Sequence, residues 1–151
     1  MADKRAGIRM SEVEIWAFLE DSRNLQVATL NRDGSPHLST LWFAVDAGTI
    51  VFDTYKKSQK AVNVGRDPRV SVLVEAGDSY AELRGVSING IARLVDDEDE
   101  SVRLKATIGQ RYAPGKDWQE LVAAAQKSRG KRAVLRVRPT RLVSWDHRKL
   151  R

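Results

Sequence analysis

Cysteine is absent from the 151 residues, which removes disulfides, thiolate nucleophiles and cysteine metal sites together and fits a reducing compartment. Histidine is nearly absent: His37 and His147 are too few for a zinc site. No stretch is long and apolar enough to cross a bilayer, and the opening MADKRAGIRMSE lacks the apolar core of a signal peptide. The expectation is a cytoplasmic protein without a membrane span. Proline is scarce, at four residues, and 42% of the chain is apolar, a composition that builds a folded core. The length suits one domain, 1–151.

Charge is unbalanced. A net +6 and an isoelectric point near 9.8 point to an anionic partner. The basic residues are spread along the chain, without helix-turn-helix, RNA-binding strand or finger spacing, which speaks against nucleic acid, and a small polyanionic ligand fits the charge equally well.

Ser11 and Glu14 form a capping box, and Val13, Ile15, Trp16 and Leu19 give the apolar spacing of a helix ending near Asp21. NLQVATL, HLSTLWFAV and TIVFDT read as three strands of an antiparallel meander, joined by turns at Asp33-Gly34 and Gly48. SQKAVNV reads as a short helix stopped by Gly65, followed by the strand RVSVLVE. YAELRGVSINGIARLV reads as one long curved strand with bends or bulges at Gly85 and Gly90. DDEDE starts a helix running through Ile108, and another spans Trp118 to Lys127, ended by Gly130. RAVLRVRPTRLVSWDH alternates like two strands separated at Pro139.

The most informative segment is FDTYKKSQKAVNVGRDPRV, Phe52 to Val70. A strand runs into a short helix whose opening turn sets Lys56, Lys57 and Lys60 around Ser58. Unpaired N–H groups, the positive end of the helix dipole, ammonium groups and a hydroxyl together suit a phosphate. A solvated basic turn is the rival reading.

About six strands with helices at the start, middle and late part of the chain, together with VATLNRDGSPHLSTLWF, NVGRDPRVSVLVE, RGVSINGIARLV and VLRVRPTRLVSW, make a pattern. It resembles the split β-barrel flavin and deazaflavin oxidoreductases, the superfamily of pyridoxamine 5'-phosphate oxidase. The resemblance runs from Ser11 to Asp146 and is nearest to the actinobacterial type that uses coenzyme F420, a deazaflavin with a phosphate and a polyglutamate tail. Relatives of similar sequence bind FMN or other flavin-like or tetrapyrrole ligands.

The resemblance implies roles residue by residue. Lys60, three residues before Asn63, matches the position that contacts the cofactor phosphate, with Lys57 and Ser58 in the same turn. Ser39, Thr40, Leu41, Trp42, Thr54 and Tyr55 would line the tricyclic ring and its ribityl chain. Arg84 begins the R-x-V-x-I-x-G pattern and is a candidate for the cofactor or a dimer seam, and Trp145 is a further ring contact. Gly85 departs from the glutamine of the FMN oxidases. For Trp42 and Trp145 core burial is the rival reading; for Arg84 it is a pair with a carboxylate on a neighbouring strand. The resemblance implies a homodimer with two cofactor sites at the subunit seam, and hydride transfer from reduced deazaflavin to an electron-poor small molecule. FMN chemistry and a non-enzymatic, cofactor-sequestering role stand as alternatives.

Overall fold

The structure is a computed structural model and describes residues 3–150. The capping box forms as expected: the Ser11 hydroxyl accepts from the Glu14 amide at 3.2 Å, and the Glu14 carboxylate accepts from the Ser11 amide at 2.6 Å. It starts α2 (Glu12–Asp21), which follows a single unexpected turn, α1 (Lys4–Gly7). Phe18 and Leu19 carry the buried face of α2, while Val13, expected on that face, is 80% exposed.

Seven strands form one antiparallel sheet in the order β2-β1-β5-β6-β7-β4-β3. They are β1 (Leu25–Leu30), β2 (Pro36–Leu41), β3 (Ala44–Asp46), β4 (Thr49–Tyr55), β5 (Arg69–Ala76), β6 (Arg84–Leu94) and β7 (Arg132–Asp146). Seven strands form where about six were expected, and HLSTLWFAV is not a single one of them. It breaks at Trp42-Phe43, so β2 pairs with β1 and β3 pairs with β4. Two strands consecutive in the chain thus stand at opposite ends of the sheet, and the bend between them curls it into a split barrel. The β3–β4 turn has positive φ at both Ala47 (49°) and Gly48 (71°), as a two-residue hairpin matched to strand twist requires.

RAVLRVRPTRLVSWD, expected as two strands, is one. Pro139 falls where β4 has stopped pairing with β7 and where the β6–β7 register slips between Asn89 and Gly90. A proline without an N–H is tolerated at such a bulge. The slip meets the bend expected at Gly90, whereas YAEL, expected as strand, contains a 3₁₀ turn at Tyr80–Glu82. Gly65 does not stop its helix: α3 (Gln59–Arg66) runs through it and is capped by Asp67. The late helices α4 (Glu98–Tyr112) and α5 (Trp118–Ser128) follow the sequence reading.

Burial explains the layering. Leu25, Val27, Phe52, Val72, Val74, Val86 and Ile88 fill the barrel, with Phe18 and Leu19 from α2 and Val64 from α3 packed among them. On the other face of β4, Val51 joins Val134, Leu104 and Ile108 in a second cluster beneath α4. β4 therefore buries both faces, which is why Ile50-Val51-Phe52 is continuously apolar instead of alternating. No helix among the described residues is long and apolar enough to cross a membrane.

Candidate cofactor site

β4 is anchored by Phe52 and carries its polar residues at its end. Thr54 points inward and is 5% exposed; Tyr55, the next residue, is 60% exposed. The Ser58 amide donates to the Tyr55 carbonyl at 3.0 Å, closing a tight turn that leads into α3. Ser58 is the N-cap of α3 and its hydroxyl accepts from the Ala61 amide at 3.3 Å. It also accepts from the Thr54 hydroxyl at 3.1 Å, and the Lys60 ammonium reaches Thr54 Oγ1 at 3.4 Å. Thr54, Ser58 and Lys60 thus form one contiguous polar chain at the start of a helix.

Lys60 has no carboxylate within 4 Å among the described residues. Burial, and next the charge of Arg132, hold its ammonium below the usual lysine range. A half-buried cation at a helix N-terminus without a counter-ion favours a nearby anion. Lys56 and Lys57 are exposed on the same turn.

Asn63 is brought beneath this site rather than into it. It is fully buried, its Nδ2 donating to Thr29 (3.0 Å) and Asn31 (2.9 Å) while its Oδ1 accepts from Gln59 (2.8 Å) and Arg66 (3.2 Å). Every hydrogen-bonding position of the carboxamide is used within the fold, so Asn63 fixes α3 against the β1 end.

Ser39 to Trp42 follow the bent strand. Ser39 faces the barrel opposite Val27, and its hydroxyl oxygen is buried without a partner among the described residues. Thr40 donates to the Leu25 carbonyl at 3.1 Å, and Leu41 packs against the core. Trp42 is not a core residue: it is 57% exposed and lies flat on Tyr112, centroids 4.3 Å apart and planes within 4°.

Two residues that the sequence reading missed hold that platform. The Tyr112 hydroxyl accepts from the Phe43 amide at 3.1 Å and donates to the Arg23 carbonyl at 2.5 Å. Arg111 donates to the carbonyls of Phe43 (2.6 Å), Leu19 and Glu20 (both 2.7 Å), and of Ser22. The end of α2 is thereby pinned to the point where β2 becomes β3.

Arg84 and Trp145 lie elsewhere. Thr54 pairs with Ala133 at the start of β7, whereas Gly85 pairs with Trp145 and Arg84 with Asp146 at its far end, about 40 Å along the strand contour. One protomer does not bring them to Lys60. Arg84 stands over the Phe18 ring at 5.2 Å. The carboxylate opposite it, Asp146, is bonded by Arg148 at 2.7 Å, and Arg84 acts on it only through its charge, with no Arg84 ion pair within 4 Å among the described residues. Trp145 is half-buried and covers Gly85.

A further cluster beside the turn was also missed. Asp53, on the outer face of β4, accepts from Arg132 Nε at 2.8 Å, and Arg132 covers the Tyr55 ring at 4.4 Å. Burial pushes the Asp53 carboxyl up despite Arg132 and Lys105 nearby. The signal in the sequence was a carboxylate inside the apolar run TIVFDT, which demands a cationic neighbour. Among the described residues no group of three or more metal-ligating side chains could hold an ion.

This architecture recurs in known proteins. The conserved hypothetical protein Rv2991 of Mycobacterium tuberculosis is 44% identical, with a TM-score of 0.91 over 97% of this chain and 91% of its own. A structure described as an F420 reductase is 26% identical, with a TM-score of 0.63 over 83% of this chain and 93% of its own. The heme storage protein HutZ of Vibrio cholerae shares the fold at 19% identity, with a TM-score of 0.71 over 88% of this chain and 94% of its own. Residues 11–146 match the family described as pyridoxamine 5'-phosphate oxidase, and the chain belongs to that family of split β-barrels.

Proposed function

We propose that the protein binds coenzyme F420 and acts as an F420H2-dependent reductase of electron-poor small molecules. The carrying observation is Lys60, a half-buried ammonium at the start of α3 whose one protein partner among the described residues is the Thr54 hydroxyl at 3.4 Å. That position suits a phosphate, and the buried Ser39 hydroxyl, without a partner among the described residues, is a polar group left for the ligand. When bound, reduced F420 supplies a hydride from its ring carbon. Lys57, Ser58 and Lys60 hold the phosphate, Tyr55 and Trp42 border the ring, and the surrounding walls exclude water and orient the acceptor.

The FMN-dependent alternative is less favoured at Gly85. A Cβ there would stand 2.1 Å from Trp145 Cζ2, so the indole fills the room that the glutamine of FMN oxidases needs.

A homodimer completes this reading. The outer face of β2-β1-β5-β6-β7 exposes Leu38 (68%) and Val143 (47%), apolar side chains that a second copy would cover. Dimerisation would also explain how Arg84 and Trp145 reach a cofactor held by Lys60, from the partner chain. The activity is tested by mixing the protein anaerobically with reduced F420 and with quinones, unsaturated lactones or tetrapyrroles, while following deazaflavin absorbance. Protein-dependent reoxidation supports a reductase. Tight binding without reoxidation by any acceptor supports a cofactor-sequestering role instead.

A further inference from the structure

Beside Lys60 the fold gathers more positive charge than it neutralises. Arg132 sits directly opposite Tyr55 in the β4–β7 ladder, and the next residue's amide, Lys56 N, donates to the Lys131 carbonyl at 2.9 Å. The start of β7 is therefore fastened to the turn that carries the lysines. Arg132 is held in place on two sides. Its Nε donates to Asp53 Oδ2 at 2.8 Å and one terminal nitrogen leans on the Asp53 carbonyl at 3.4 Å. Its guanidinium plane also covers Tyr55 at 4.4 Å. The second terminal nitrogen has no protein partner among the described residues.

The same carboxylate serves a second cation. Lys105 is 7% exposed and its ammonium donates to Ser128 Oγ at 3.0 Å, while the Asp53 charge opposes the burial that lowers its pKa. Lys105 and Arg132 thus share one acidic residue, while Lys60 has none among the described residues and Arg132 disfavours its charge. Partly buried cations in excess are costly unless an anion joins them. We infer that Arg132, positioned by Asp53, is a second binding residue for the anionic group that Lys60 holds, donating to it from β7 through its free terminal nitrogen.

This inference rests on the reading of Lys60 as a phosphate contact, and the test separates the two. Arg132→Met keeps the stem that covers Tyr55, and Arg132→Met with Asp53→Asn avoids leaving a buried carboxylate unpaired. Affinities are measured for F420, for its chromophore lacking phosphate and tail, and for FMN against riboflavin, which differ by the phosphate alone. Both variants are expected to bind F420 and FMN roughly tenfold or more weakly, with the chromophore and riboflavin unchanged and Arg132→Lys partly restored. A purely structural role would weaken all four ligands alike and would overturn the inference. Loss confined to F420 would assign Arg132 to the tail and overturn the phosphate role. If Lys60→Ala leaves phosphate preference intact, the underlying reading fails; if only Arg132 variants leave it intact, this inference fails alone.

Discussion

The indole of Trp145 lies against the bare backbone of Gly85, its cross-strand partner, so closely that a Cβ on residue 85 would stand 2.1 Å from Cζ2 and 2.5 Å from Cε2. Gly85→Ala is therefore expected to destabilise the protein by about 1–3 kcal/mol through overpacking. In Gly85→Ala with Trp145→Ala the clash is gone, so the two costs fall short of additivity in chemical denaturation. Full additivity would show that the indole swings away freely.

Asn63 spends its whole hydrogen-bonding capacity on Thr29, Asn31, Gln59 and Arg66. Replacing it with alanine strips buried partners from both β1 and α3, at a cost of about 2–3 kcal/mol. Because Asn63 is fully buried, the loss should appear in thermal stability, and any fall in ligand affinity should follow from loosening of α3. Unchanged stability with abolished binding would instead make Asn63 a direct ligand contact.

Asp46 ties the β3–β4 turn to α4 and β7 through Arg103 at 3.1 Å and Arg136 at 3.0 Å, and Arg136 also meets Glu100 at 2.7 Å. The Arg103 hydrogen bond, aided by Arg136, holds the Asp46 carboxyl below the usual range. A depressed carboxyl pKa contributes stability that is present above the unfolded-state value and lost as pH falls through the folded value. Asp46→Asn should flatten the acid limb of the melting temperature against pH. It should also cost about 1 kcal/mol near neutrality, because solvent screens the carboxylate and its Arg103 partner. An acid limb identical to the wild type would remove Asp46 from the account.

For Lys60 the sign runs the other way. Its pKa is lowered, by burial first and by Arg132 second, so its charge disappears at a lower pH than that of an exposed lysine. Affinity for a phosphate-bearing ligand is expected to be full below that value and to decline as pH rises through it. Binding should be coupled to proton uptake in the decline, because an anion favours the ammonium form. Lys60→Arg should move the decline out of reach. Isothermal titration in two buffers of different ionisation enthalpy measures the protons taken up, and none taken up on the alkaline side would contradict the assignment.

What could be read from the sequence was local. The Ser11–Glu14 box, the helix start at Ser58 and the turn at Gly48 each follow from contacts within a few residues, and each formed as expected. The failures required partners distant in the chain. Nothing near Trp42 says that β2 ends on one edge of the sheet and β3 begins on the other, because the break is imposed by Arg111 and Tyr112 from α4. Pro139 reads as a stop until its place opposite the Gly90 bulge, beyond the reach of β4, is known. In the site, Lys60 and Ser58 were visible because they share one turn. Arg132 was not, since it is brought to Tyr55 only by strand pairing.

The central claim is that Lys60 receives the phosphate of a deazaflavin cofactor. A fluorescence titration of F420 and of FMN into the wild type and into Lys60→Ala tests it most directly. We expect F420 to bind more tightly than FMN and the substitution to weaken F420 by roughly tenfold or more, the worth of a charge-assisted hydrogen bond. F420 binding equally well to the wild type and to Lys60→Ala, or not binding at all, would contradict the account.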